Sequence, residues 1–249
     1  MLMSQHPTCA ELIRAVDLAD SADAMLDAVE ALAEARLLEA IPTLIEVLSF
    51  NNPGAAVAAV DGLVLIGEPA VVPLLELMDG YNYTARSWAV RALAGIGDPR
   101  GLEILLHAAT TDFSFSVRRA ATRGLGFVQW SSISDGDRRL AAQAKALEAL
   151  LLKARDEEWI VRYAAVVGLQ RLAEVFSLAR RQDDLAAEKA YLQQVQTCFD
   201  RLLLEDSQLA VKARAIFARQ QLQQCSGFAD RRHPNASSAP ALQADPSND

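Results

Sequence analysis

Apolar residues recur with a helical period along most of the chain, and the pattern itself repeats. Leu44-Ile45-Glu46-Val47-Leu48 returns as Leu74-Leu75-Glu76-Leu77-Met78 and, less closely, as Ile104-Leu105-Leu106-His107-Ala108. Between these runs stand Gly67-Glu68-Pro69 and Gly97-Asp98-Pro99. Gly can end a helix in the left-handed conformation and Pro can begin the next one. A second series reads Ala85-Arg86, Val117-Arg118, Val161-Arg162 and Val211-Lys212, preceded by Asp79, Asp112, Asp156 and Asp206. An Asp ahead of a helix is expected to supply the N-cap oxygen that its first N–H groups lack. The unit is therefore helix, Gly–acid–Pro turn, helix, Asp turn. No such unit buries its apolar face alone, so neighbours must stack.

The fold expected is all-α, a HEAT-like α-solenoid of stacked antiparallel helix pairs. Helices are predicted near 22–36, 38–49, 54–66, 69–79, 84–96, 99–110, 115–128, 138–155, 158–177, 184–204 and 207–224. Insertions at 129–138 and around 180–184 widen the later repeats. The expected organisation is an N-terminal segment at 1–20, the repeat domain at 21–226 and a C-terminal tail at 227–249. The tail has too little apolar content to pack and is expected to be disordered.

Composition narrows the chemistry. The net charge is −8, which argues against nucleic-acid binding. Lysine is confined to Lys145, Lys153, Lys189 and Lys212, so most cations are Arg, whose planar fork suits carboxylates and phosphates. Cys9, Cys198 and Cys225 form no CxxC pair, as expected of a reducing cytoplasm. No signal peptide is evident, and no apolar run approaches the roughly 20 residues of a membrane span. His6, His107 and His233 have no second ligand at metal-binding spacing, so no metal site is expected. P-loop, dinucleotide and nucleophile-elbow motifs are missing. The expectation is a chain that works by holding a partner and carries no self-contained catalytic centre.

Two readings of the Asp–Arg series stay open. In one, Arg118 and Arg162 bond Asp residues of adjacent repeats and set the stacking register. In the other, these arginines face a groove and hold an anion. The least generic segment is Asp79-Gly80-Tyr81-Asn82-Tyr83-Thr84-Ala85-Arg86-Ser87-Trp88, which gathers aromatic residues in a chain with only 6% of them. On a helix, Tyr83 lies beside Arg86 and Trp88 beside Arg91. Aromatic faces and guanidinium groups together suit a flat, carboxylate-bearing ligand; equally, Trp88 could be core and the tyrosines loop caps. Trp159 and Arg162 repeat the pairing.

This stretch, continued through Arg91-Ala92-Leu93-Ala94-Gly95-Ile96-Gly97-Asp98-Pro99-Arg100, resembles the E/F-type phycobilin lyases, the F-type subunits above all. So does Asp112-Phe113-Ser114-Phe115-Ser116-Val117-Arg118-Arg119-Ala120-Ala121. The resemblance spans about residues 20–225. It implies a heterodimer with an E-type subunit that attaches a linear tetrapyrrole to a cysteine of a phycobiliprotein α subunit, the bilin being substrate and no cofactor being needed. The attacking thiol belongs to the substrate protein, so this chain needs no nucleophile. The resemblance points to Arg86, Arg91, Arg118 or Arg119 for the propionates and to Tyr83 or Trp88 for stacking, with Trp159 and Arg162 as further bilin-binding candidates; the general acid stays unassigned. Isomerising members of the family carry Asn-His-Cys where this chain has Asn82-Tyr83-Thr84, which implies attachment without isomerisation. The rival reading is a non-catalytic HEAT-repeat chaperone or scaffold for phycobiliproteins.

Overall fold

Ala- and Leu-rich segments bounded by strong helix stops fold here as short helices laid side by side. The structure, a computed structural model, describes residues 7–178 and 185–230. In chain order the helices are α1 (Cys9–Asp17), α2 (Ala22–Ala35), α3 (Ile41–Val47), α4 (Pro53–Ile66), α5 (Val71–Leu77), α6 (Tyr83–Ile96), α7 (Leu102–Thr111), α8 (Phe115–Leu125), α9 (Gly136–Lys153), α10 (Trp159–Leu178), α11 (Leu185–Glu205) and α12 (Leu209–Asp230). No strand occurs among the described residues.

The even-numbered helices α2 to α12 pack successively against one another, while the odd-numbered ones cover them in a second layer. A fully buried Leu recurs from helix to helix through each layer: Leu32, Leu63, Leu93, Leu125 and Leu169 in the first, Leu44, Leu74, Leu105 and Leu150 in the second. Each contributes about 1.5–3 kcal/mol of burial. The first layer is drawn tight by small residues. A Cβ on Gly124 would stand 2.5 Å from the Cβ of Ala94, and one on Gly62 2.6 Å from that of Ala33.

Turn chemistry explains the boundaries. Asn52 and Asn82 cap α4 and α6, each side-chain oxygen accepting from the N–H three residues on, at 3.1 Å. Gly97 ends α6 at φ 72°, where a Cβ would meet the Phe127 carbonyl oxygen at 2.5 Å. The Pro of each Gly–acid–Pro turn falls in a single 3₁₀ turn, second in Glu68–Ala70 and first in Pro99–Gly101, before the following helix.

Several expectations change. Helix α1 lies within the expected N-terminal segment, is closed by a Thr8–Glu11 capping box, and packs Leu12 and Val16 into the shared core. Helix α8 stops at Leu125, three residues early, and the Gly126 that follows lies so close to Gly168 of α10 that a Cβ would come within 2.4 Å of its Cα. The insertion at 129–138 is ordered: Gln129 bonds the Gly97 and Ile96 carbonyls with its backbone and side-chain N–H groups, and Trp130 is buried. Helix α12 continues through residues 227–230 of the expected tail; 231–249, the insertion at 180–184, and His6 and His233 lie outside the described residues. No single helix among the described residues is long and apolar enough to cross a membrane.

Candidate functional site

The fourth residue of each of α6, α8, α10 and α12 is a cation: Arg86, Arg118, Arg162 and Lys212. Two of these build identical rungs. The Arg118 fork donates to both oxygens of Asp156 at 3.1 and 3.0 Å, and its Nη1 to the carbonyls of Asp112 and Phe113. The Arg162 fork donates to both oxygens of Asp206 at 2.7 and 2.9 Å, and its Nη1 to the carbonyls of Asp156 and Glu157. Each Arg thus ties its own turn to the next one. Of the two readings left open for Arg118 and Arg162, these bonds are those of the ladder, although Arg162 also lines an open groove with Arg155 and Arg201.

The aspartates also differ from expectation. Asp112, Asp156 and Asp206 do not cap their helices from the N-cap position. Each accepts the backbone N–H two residues on, from Ser114, Glu158 and Gln208. That geometry leaves a carboxylate edge facing the preceding repeat. Burial pushes the Asp156 pKa up, but bonds from Arg118, the Glu158 N–H and Lys153 outweigh it and hold the carboxyl below its usual range. Arg162 does the same for Asp206 against a smaller burial penalty.

The first rung breaks the rule. By register Arg86 should reach Asp112, but Asp112 Oδ1 accepts the Tyr83 hydroxyl at 2.9 Å. Arg86 makes no side-chain hydrogen bond or ion pair with a described residue, and its Nε is sealed from solvent without a partner. Tyr83 and Arg86 line one cavity of about 290 Å³ between α6 and α7, together with Ser87, His107, Asp112 and Phe113. Phe113 stacks on Tyr83 with ring centres 4.7 Å apart. Burial raises the Tyr83 pKa, and the Asp112 bond and charge add to the rise.

A second group lies across α6 and α8. Arg91 covers the half-buried Trp88 ring at 4.4 Å and donates to Ser116 Oγ at 3.2 Å. Burial lowers the Arg91 pKa, and the like charge of exposed Arg119 lowers it further. The structure therefore brings Tyr83 and Arg86 into one site and Trp88, Arg91 and Arg119 into another. Trp159 stands partly exposed at the start of α10, apart from both.

Asp112, His107 and Phe113 were not singled out as site residues by the sequence. The available signal was Gly80, which occupies the position six residues before Arg86 where Asp stands before Arg118, Arg162 and Lys212. Wider open grooves of about 660 and 680 Å³ run beside α9 and α11 past Arg155 and Arg201. There Arg201 is engaged by the Ala154 carbonyl and the Cys198 sulfur. Cys198 is buried, which pushes its thiol pKa up despite Arg201 and makes it a poor nucleophile. No group of three or more His, Cys, Asp and Glu side chains among the described residues is placed to hold a metal ion.

The HEAT-repeat family profile matches residues 72–170. The chain is 55% identical over 216 residues to the phycocyanobilin lyase subunit beta of Pseudanabaena tenuis, covering 86% of this chain and 73% of that one. It is 53% identical over 168 residues to the phycocyanin alpha phycocyanobilin lyase CpcF of Synechocystis, covering 68% of this chain and 78% of that protein. Among solved structures, the complex of CpcE and CpcF of phycocyanin lyase from Nostoc aligns with a TM-score of 0.62 at 43% identity, covering 74% of this chain and 99% of that one.

Proposed function

The chain belongs to the family of phycocyanobilin lyase β subunits, the F-type members of the E/F phycobilin lyases, and from that membership we propose that it pairs with an E-type subunit to attach phycocyanobilin to a cysteine of the phycocyanin α subunit. The observation that carries the reading is 55% identity maintained across 86% of the chain, a span that includes far more than a generic repeat. Attachment adds the substrate protein's S–H across the ethylidene double bond of ring A. The new C–S bond is a thioether, the proton goes to the tetrapyrrole, and no oxidant, metal or further cofactor enters the balance.

Three tasks then fall to the protein pair. One is to hold the bilin, whose two propionates match unpaired arginines. Arg86, Arg91 and Arg119 are the candidates once Arg118 and Arg162 are assigned to the stack, with Tyr83 and Trp88 as ring surfaces. Another is to supply a proton as the thiol adds. The last is to bring the acceptor cysteine into line, a proximity effect for which a rigid, register-locked solenoid is suited. With Tyr83-Thr84 in place of the His-Cys pair of the isomerising relatives, the product keeps every double bond other than the ethylidene one where phycocyanobilin has it. A cytoplasmic setting belongs to the same reading, supported by three cysteines too far apart in sequence to form a CxxC pair.

Co-expression with an E-type subunit, an apo-phycocyanin α subunit and a bilin-producing pathway tests this. Zinc-enhanced fluorescence of the α subunit on a denaturing gel is the expected result, dependent on this chain. Stable binding to the apo subunit without an adduct would replace the lyase reading with the chaperone one.

A further inference from the structure

The two complete rungs define what Arg86 is missing. In each, the arginine's partners are the carbonyls six and five residues before it and the carboxylate of the following turn. For Arg86 these would be Gly80, Tyr81 and Asp112. None of the three bonds forms. The Tyr83 hydroxyl and the Ser114 N–H both donate to Asp112 Oδ1, at 2.9 and 2.8 Å; in the complete rungs that oxygen is shared by the backbone N–H and the arginine's Nη2, so the tyrosine stands here in the arginine's place. Guanidinium stays protonated in proteins, and the Arg86 Nε–H is sealed from solvent with no acceptor, a cost that a ligand oxygen reaching it would remove. The same cavity offers Asp112 Oδ2, which accepts no hydrogen bond, and an apolar floor of Val90, Ile104 and Ala108.

We propose that this open rung is a carboxylate-binding site, held open by the Tyr83 hydroxyl, which takes one acid arm of a linear tetrapyrrole. The inference rests on the bilin-lyase reading above and deepens it. Arg86 takes the carboxylate as a charge-assisted pair. Asp112 Oδ2 accepts an N–H from the adjoining ring, which lies on the apolar floor. A volume of about 290 Å³ is at the small end of ligand pockets. It accommodates one ring with its acid arm, so the rest of the molecule extends outside, toward whatever protein docks there. Tyr83 is then a positioning residue: its hydroxyl occupies Asp112 so that Arg86 does not.

The test compares phycocyanobilin with its dimethyl ester, titrated by visible absorbance into the full chain mixed with an E-type subunit. The wild-type chain is expected to prefer the diacid roughly ten- to a hundredfold, the worth of one charged hydrogen-bonded pair. Arg86→Gln abolishes the preference. Tyr83→Phe abolishes it too, although the cation and the ring remain, because Arg86 closes onto Asp112; its urea midpoint stays level or rises as the rung completes. Tyr83→Phe combined with Asp112→Asn restores the preference, since Asn does not capture Arg86. Equal binding of diacid and ester to the wild type, with adduct still formed on the α subunit, would overturn the site and leave the lyase reading intact. A Tyr83→Phe chain that keeps the preference would overturn the positioning role. No binding of either form and no adduct would remove the lyase reading and this site with it.

Discussion

Replacing Arg162 by Met should destabilise the protein more than the same change at Arg118, although the two rungs look alike. Both arginines are nearly buried, with side-chain exposures of 13% and 9%, and both meet carboxylates exposed by 4% or less. Removing one member of a buried ion pair costs about 3–5 kcal/mol, because the other charge is left without compensation. At the Arg118 rung, Lys153 Nζ also reaches Asp156 at 3.0 Å, so a counter-charge remains and the loss should fall to about 2–3 kcal/mol. Among the described residues no second cation lies within 4.0 Å of Asp206, so Arg162→Met should cost about 4 kcal/mol. With an m-value of roughly 3 kcal/mol/M for a chain of this size, the urea midpoint drops by more than 1 M in one case and visibly less in the other. Arg162→Met combined with Asp206→Asn should recover part of the loss, since Asn keeps the acceptor for the Gln208 N–H and removes the stranded charge. Equal losses, or an Arg162→Met loss below about 1 kcal/mol, the scale of an exposed ion pair, would refute the view that these rungs hold the stack together.

Three other outcomes follow from the same structure. Asp156 and Asp206 have folded-state pKa values below the usual carboxylate range, so the stability they contribute is present above pH ~4 and lost as the pH falls through their folded values; urea midpoints should hold between neutrality and about pH 5 and drop below pH 4, and Asp206→Asn should blunt that drop. Gly124→Ala should cost about 1–3 kcal/mol by overpacking, since its Cβ would also lie 2.8 Å from the Ala94 Cα, whereas Gly54→Ala, with nothing nearer than 3.5 Å, should gain up to about 1 kcal/mol from helix propensity in calorimetry. Arg36 ends α2 at φ 52° with an exposed side chain, so Arg36→Gly should raise stability by about 1 kcal/mol through relief of left-handed strain, read from the same thermal scans.

The repeat was legible because its recurrent Leu runs and Gly–acid–Pro turns encode local structure, and the local structure dictates the packing. Helix α1 was legible and went unread: Cys9, Leu12, Ile13 and Val16 fall at helical spacing behind a Thr8–Glu11 capping box, but nothing in the repeats echoes it. The end of α8, by contrast, was hidden. Phe127 and Val128 continue the apolar pattern, while the chain beyond Leu125 is set by contacts far away in sequence: Gly126 lies against Gly168, 42 residues on, and Gln129 bonds back to Gly97. The Asp–Arg series was visible as a spacing, but its meaning depends on which donor wins each carboxylate. Arg118 and Arg162 win theirs. Arg86 loses Asp112 to a tyrosine three residues before it in the same helix, a competition decided by side-chain reach in three dimensions.

The central claim is that this chain, with an E-type partner, joins phycocyanobilin to the phycocyanin α subunit through a thioether. Its most direct test is the intact mass and acid-denatured absorption spectrum of the α subunit after reaction with bilin, partner and this chain. Expected are a mass increase of one bilin on a single cysteine, the spectrum of thioether-bound, unisomerised phycocyanobilin, and loss of both when this chain is omitted. An unmodified mass in the complete mixture, or an equal yield without this chain, would contradict that claim.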